Sequence, residues 1–223
     1  MKRNLSFDEI DQIKSLDQMK LNRQKAPTVC GFGVNDVDFV VKVGGKLCRQ
    51  YRLWASVLHR CYDGKYHEHQ PTYIGCSVSD EWKYFSNFLI WVNNQFGYKM
   101  KDVKGNSFEI DKDIANKCNK IYSSEYCNFI PKALNLLLVK NDSVRGYCPI
   151  GVSFSNHAQK FKAYLKIDCK IKHLGYFNTE IEAFQVYKKA KEDECKRLAK
   201  LYKDVISPIV YRALMNYNVD IDD

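Results

Sequence analysis

The stretch from Gly151 to Lys189, GVSFSNHAQKFKAYLKIDCKIKHLGYFNTEIEAFQVYKK, constrains the fold more than any other part of this chain. Side chains of a strand alternate between two faces. Lys162, Tyr164 and Lys166 are spaced by two and share one face, while Phe161, Ala163, Leu165 and Ile167 share the other. Ser153 and Ser155 alternate with Val152 and Phe154, and His173 falls between Lys172 and Leu174. Thr179, with Glu182 three residues on, makes a capping box that starts a helix. Ala183, Phe184, Tyr187, Leu198 and Tyr202 are the expected core contacts of that helix. The pattern predicts a three-stranded antiparallel sheet packed on one helix, with a face of lysine and tyrosine left over. A cationic sheet face is a shape that a DNA groove admits.

The charge of the chain points the same way. Lysine and arginine exceed aspartate and glutamate by nine, giving a pI near 9.0. An excess of that size is an argument about partners, and polyanions come first. With 223 residues, 45% of them hydrophobic, the chain can build one large core or two small ones. The start, MKRNLSFDEIDQ, has no apolar signal-peptide region, and no run approaches the ~18 apolar residues of a membrane span. The nine cysteines are scattered, without a CxxC spacing. They are expected as reduced thiols in a cytoplasm, acting as small core hydrophobes.

The rest of the chain reads as a smaller α+β region. Residues 5–24 are expected to be helical, opened by Ser6 with Glu9 and carrying the stripe Ile10, Ile13, Leu16 and Met19. Val37–Leu47 reads as a hairpin turning at Gly44-Gly45. Tyr51–Cys61 is an expected helix, and Tyr73–Val78 a short strand. Ser79 or Asp80 caps the next helix, with Trp82, Phe85, Phe88, Leu89, Val92 and Phe96 along its buried side. Short strands at Phe108–Asp113 and Cys127–Ile130 precede a helix from Lys132 to about Val139, opened by Pro131. The polar run Lys140–Tyr147 is the expected domain boundary, and Ile206–Tyr217 a last helix. The expected organisation is therefore an N-terminal arm (1–28), a central α+β domain (29–140), a C-terminal module (147–203) and a tail (204–223). The arm and the tail are candidate contacts of a homodimer.

Two resemblances follow from these residues. Leu174-Gly175-Tyr176-Phe177, then Thr179, Ala183 and Tyr187, make residues 147 to about 192 resemble the plant ethylene-response-factor (Apetala-type) DNA-binding domain. That module also occurs in phage and bacterial homing endonucleases. The resemblance implies a sheet lying in the major groove of double-stranded DNA. It makes Ser153, Ser155, Lys160, Lys162, Tyr164, Lys166, Lys172 and His173 the candidate contacts. Ser153 and Ser155 stand where that family often has arginine. Serine discriminates bases poorly, whereas arginine pairs bidentately with guanine, so the plant consensus site is not expected here.

About residues 29–140 resemble the phage HNH-like homing endonucleases. The marks are Trp54, Arg60-Cys61-Tyr62, Glu81-Trp82, Phe85, Phe88, Trp91, Asp111-Lys112-Asp113, Tyr122-Ser123, Cys127, Pro131 and Asn135. Such a centre implies a histidine base and one divalent metal, magnesium here. The chain has no histidine between His69 and His157. Asp111, Asp113 and Asn135 remain as candidate ligands, with His59, His67 or His69 as a borrowed base. A looser candidate is zinc held by Cys61, His67, His69 and Cys76, whose spacing matches no common finger. Two readings result. The favoured one is a sequence-specific double-stranded DNA binder without a cofactor, a transcriptional repressor derived from a homing endonuclease and associated with the nucleoid of a bacterial host. The alternative is an active metal-dependent HNH-type homing endonuclease. RNA binding is set aside, since there is no RNP-type aromatic motif and no GxxG clamp.

Overall fold

Alternation and capping shape the computed structural model, which describes residues 2–139, 147–167 and 170–222. In chain order the elements are α1 (Phe7–Asp11), β1 (Lys42–Val43), β2 (Lys46–Leu47), α2 (Arg49–Tyr62), α3 (Gly64–His69), β3 (Ser77–Val78), α4 (Phe85–Asn94), β4 (Glu109–Asp111), β5 (Ile121–Tyr122), β6 (Asn128–Ile130), α5 (Lys132–Leu138), β7 (Val152–Ser155), β8 (Lys160–Ile167), β9 (Lys170–Phe177), α6 (Glu180–Leu201) and α7 (Pro208–Met215). The class is α+β. The chain forms two compact units, one of residues 1–98 and 110–129, the other of residues 99–109 and 130–223. Most of the boundary expected at Lys140–Tyr147 lies outside the described residues.

The first unit is built on aromatic packing. Trp54, Trp82, Phe85, Phe88, Leu58 and Leu89 are all buried. Trp54 Nε1 donates to the Trp82 carbonyl at 2.7 Å, which satisfies the one polar atom of that ring. Phe85 meets Tyr51 edge-on at 5.1 Å, and Trp82 meets Phe88 edge-on at 4.8 Å. The hairpin β1–β2 turns at Gly44 and Gly45, both at positive φ as a two-residue primed turn requires. It is only two residue pairs long, shorter than the expected Val37–Leu47. β5 has too few residues to announce itself in sequence, yet it pairs parallel with β3.

Two expected helices are interrupted, each for a local reason. The Ser6/Glu9 capping box forms as expected, but α1 ends at Asp11. The Gln18 side chain accepts from Lys14 N and Ser15 N, taking donors that a continuous helix would use. A 3-10 turn at Leu16–Gln18 follows. Asn93 Nδ2 then donates to the carbonyls of Ile10 and Ile13, both at 2.8 Å, and holds this segment on its own unit. The helix expected from Ser79 begins instead as a 3-10 turn, Asp80–Lys83. Tyr84 is drawn into extended pairing with Val34 before α4 starts. Phe96 lies beyond the end of α4 and is 47% exposed, not part of the buried stripe.

In the second unit β7, β8 and β9 form an antiparallel sheet in that order. Val152, Ala163 and Leu165 are buried on one face, and Ala183, Phe184 and Tyr187 are buried on the facing side of α6. The Thr179/Glu182 capping box opens α6 as the sequence predicts. Burying one such aliphatic side chain contributes about 1.5–3 kcal/mol. α7 packs back on α6, with Ser207 as its cap and Pro208 in its first turn. Val219 is buried, and its N–H donates to Glu192 at 3.0 Å, so the expected tail is folded onto its own helix. α5 belongs to this unit, although the sequence places it in the central domain. Its Leu134 and Leu137 are buried, and it packs on β8 and α6. Lys191, buried on α6, donates to the Leu137 carbonyl. No helix among the described residues is long and apolar enough to cross a membrane.

Gly151 enters β7 at φ +76°, and a Cβ there would lie 2.1 Å from the Tyr187 ring. Gly151→Ala is expected to destabilise the fold by about 2–4 kcal/mol, combining overpacking with a left-handed backbone. Urea unfolding of the full chain reads this directly as a lower midpoint.

Candidate nucleic-acid interface

The face of the sheet that α6 does not cover is defined by register. Opposite residues of paired strands point to the same side. Ser153, Lys162 and Tyr176 form one cross-strand row, and Ser155 stands opposite Lys160. Tyr164 faces His173, and Lys166 faces Ile171. These nine residues make up the outer face. Val152, Ala163 and Gly175 make the matching row on the helix side.

A β-bulge sets this arrangement. Ala163 pairs with Gly175 but Tyr164 pairs with His173, so Leu174 is an extra residue on β9. Gly175 takes φ +140°, a conformation that the bulge needs and glycine tolerates. The bulge brings His173 and Tyr176, three residues apart, onto one face, with ring centroids 4.7 Å apart. It also turns Lys172 the other way. Lys172 stands opposite Leu165 and is exposed at the end of the helix-side face, so it leaves the set of candidate DNA contacts that His173 remains in. Tyr176, 49% exposed, takes a place on the outer face that alternation from His173 does not assign, whereas Ile171, 70% exposed and two residues before His173, follows from it.

The face is open and cationic. Lys160, Lys166 and His173 are exposed, while Ser153, Ser155, Lys162 and Tyr164 are half-buried. Lys162 Nζ lies 5.8 Å from the Tyr164 ring centroid. None of the nine outer residues is a carboxylate, and no ion pair lies on this face among the described residues. α6 carries the ion pairs Lys188–Glu192 and Arg197–Glu194. Ser155 Oγ is partly occupied, accepting from Ala158 N at 3.3 Å in the turn before β8. The other hydroxyls and ammonium groups of the face make no hydrogen bond or ion pair among the described residues.

The acids of the central region serve local structure. Asp111 Oδ1 accepts from Asp113 N at 2.9 Å and from Ile114 N at 2.7 Å, closing the turn after β4. Burial pushes the Asp111 carboxyl above its ordinary range, against those two backbone donors. Asp113 pairs with the neighbouring ammonium of Lys112. Asn135, in the other unit, donates to Glu109 at 2.7 Å. Of the three histidines considered as a base, His67 turns Nε2 to the Arg60 carbonyl at 2.8 Å. His59 Nδ1 lies 3.0 Å from Asp63 and 3.3 Å from the sulfur of Cys30. One nitrogen meets both partners, so the ring cannot relay a proton between them. Burial, then the Asp63 charge, pushes the Cys30 thiol up. His69 is exposed.

The zinc candidate does not assemble. Among the described residues no three histidine, cysteine or acidic side chains are grouped as metal ligands. Cys61 and Cys76 are buried, and burial with the nearby Cys76 pushes the Cys61 thiol up to about 12. His67 is directed to Arg60 instead. Comparison with known proteins finds no matching family model, curated protein or solved structure.

Asp111→Asn keeps the carbonyl oxygen that closes the turn and removes a charge that burial disfavours. At neutral pH its stability is expected to equal or exceed that of the parent. The raised carboxyl favours the protonated folded state, so the parent loses stability as pH rises through the raised range. The gap between the two proteins should therefore close on acidification below the ordinary carboxylate range. Thermal unfolding of both proteins across pH 3–8 measures it.

Proposed function

We propose that this protein binds double-stranded DNA through the outer face of β7, β8 and β9, and acts by occupying a site rather than by cutting it. The observation that carries this reading is the bare face itself: lysines, a histidine and two tyrosines, no carboxylate, and α6 on the opposite side. Three strands side by side span about 10 Å from first to last, against a major groove about 12 Å wide. The lysines would meet phosphates, and Ser153, Tyr164 and Tyr176 would meet bases. A protein of this kind represses transcription where its site overlaps a promoter. The preference for occupancy over cleavage rests on the local duties of Asp111, Asp113 and Asn135, and on the sequence gap between His69 and His157.

Removing one lysine–phosphate pairing reduces the slope of log affinity against log salt by about 0.9. Replacing Lys162 and Lys166 together by alanine should weaken binding to duplex DNA and flatten that slope by about 2. Lys172→Ala, on the other face, should change the slope by less than either single lysine of the outer face. Gel-shift titrations at several salt concentrations test both, and an unaltered slope in the double variant removes this face as the interface. The same titrations run with magnesium should show retarded but intact duplex, and cut product would replace occupancy with cleavage.

A further inference from the structure

The outer face of the sheet is sorted by strand. Its lysines, Lys160, Lys162 and Lys166, all stand on β8, whereas β9 presents Ile171, His173 and Tyr176. The lysines of β9 itself, Lys170 and Lys172, stand opposite Ile167 and Leu165, on the helix side. A lysine column and a column without lysine therefore run side by side, about 4.8 Å apart. Ile171 is the one aliphatic side chain among the nine outer residues, and it is 70% exposed.

Ile171 also occupies the narrowest part of the sheet. β7 pairs with β8 only from Lys160 to Ala163, so the end that carries Lys166 and Ile171 is a ribbon of two strands. A major groove admits a two-stranded ribbon. On such a ribbon a lysine can swing its flexible stem outward to a phosphate. Isoleucine has no donor or acceptor with which to read a base edge. Laid against the nitrogen and oxygen atoms of the groove, it would strip them of water and return no hydrogen bond, which costs free energy. The groove offers one apolar group, the 5-methyl of thymine. A cytosine methylated at the same carbon presents the same group.

Resting on the duplex reading of this face, we propose that Ile171 reads a 5-methylpyrimidine, packing on its methyl group in the major groove while Lys166 beside it holds a phosphate. The methyl contact is apolar, so it adds sequence preference without adding salt dependence. Covering one methyl group in this way changes affinity about fourfold.

The test uses the full chain and a duplex that it enriches from a random pool. That duplex is made again in two forms, with uracil for every thymine and with 5-methylcytosine for every cytosine. Both changes alter methyl groups and leave every phosphate in place. In titrations at two salt concentrations, the parent should distinguish the unmodified duplex from one of these forms by about fourfold per contacted methyl, and by the same factor at both salts. Ile171→Ser should bind all three duplexes alike and keep the salt slope of the parent. Ile171→Val, which keeps a branched apolar end, should retain the discrimination. Weaker binding of the uracil form identifies thymine as the source, and tighter binding of the 5-methylcytosine form alone identifies methylated cytosine. Equal affinity of the parent for the three duplexes, or discrimination that survives in Ile171→Ser, overturns the proposal. A salt slope that depends on Lys162 and Lys166, found together with equal affinity for the three forms, removes the role of Ile171 and leaves the DNA face standing. Failure to enrich or retard any duplex removes the face and this contact together.

Discussion

The close approach of Gly151 to the ring of Tyr187 fixes which side of the sheet faces the helix. With no Cβ in the way, the start of β7 lies close against α6, and the Gly151 carbonyl accepts from Tyr164 N at 2.9 Å. Strand side chains alternate with a period of two, so a slip of one residue would exchange the faces. It would carry lysines under the helix and Ala163 and Leu165 into water. The packing at Gly151, the helix-side row Val152–Ala163–Gly175 and the capped start of α6 all select the same register. One helix covers one face only. The other face is not packed against α6, and its composition can answer to a partner.

The first unit solves a different problem, since much of its backbone is neither helix nor strand. Side chains supply the missing hydrogen bonds. Asp36, wholly buried, accepts from Ser86 N at 2.9 Å and Ser86 Oγ at 2.7 Å, with Arg23 nearby at 3.6 Å. Asn93 satisfies two carbonyls at the end of α1 and accepts from Gln50 at 2.9 Å. Buried polar networks of this kind hold only when each member is satisfied. Asp111 closes its turn by the same means. Its Oδ1 accepts two backbone N–H groups and is committed to that turn.

The three-strand-and-helix unit is legible in the sequence because two strong local signals agree there. Lysines alternate with apolar residues over β8, and Thr179 with Glu182 announces α6 at the correct residue. Helix starts are readable elsewhere too, as at Ser6, but helix lengths are not. What ends α1 is a side chain, Gln18, competing for backbone donors, and what delays α4 is a bridge to Val34 from a distant segment. Neither leaves a periodic trace. The site is legible to the same degree. Lys160, Lys162, Tyr164 and Lys166 follow from alternation, and Ile171 follows from His173, whereas Tyr176 depends on the bulge at Leu174-Gly175. The only sequence signal for that bulge is a glycine inside a strand, which marks such irregularities in general.

The cations of this chain sit in two electrostatic settings, and the difference bears on what each can recognise. Lys160 and Lys166 stand in water, where the field of a charge fades within about 8 Å at physiological salt. Such groups gain affinity for a polyanion chiefly by releasing its counter-ions, so they hold many sequences with similar strength. On the proposed duplex, discrimination would then come from the uncharged members of the face, Ser153 and Tyr164, with Tyr176 in the same row as Ser153. Arg60 is in the opposite situation. Its Nε is shut away from water, where a charge acts more strongly and salt screens it less. An open lysine face tolerates the absence of its partner because water replaces it. An enclosed guanidinium leans instead on its own unit, here the Tyr122 hydroxyl and the Tyr73 ring.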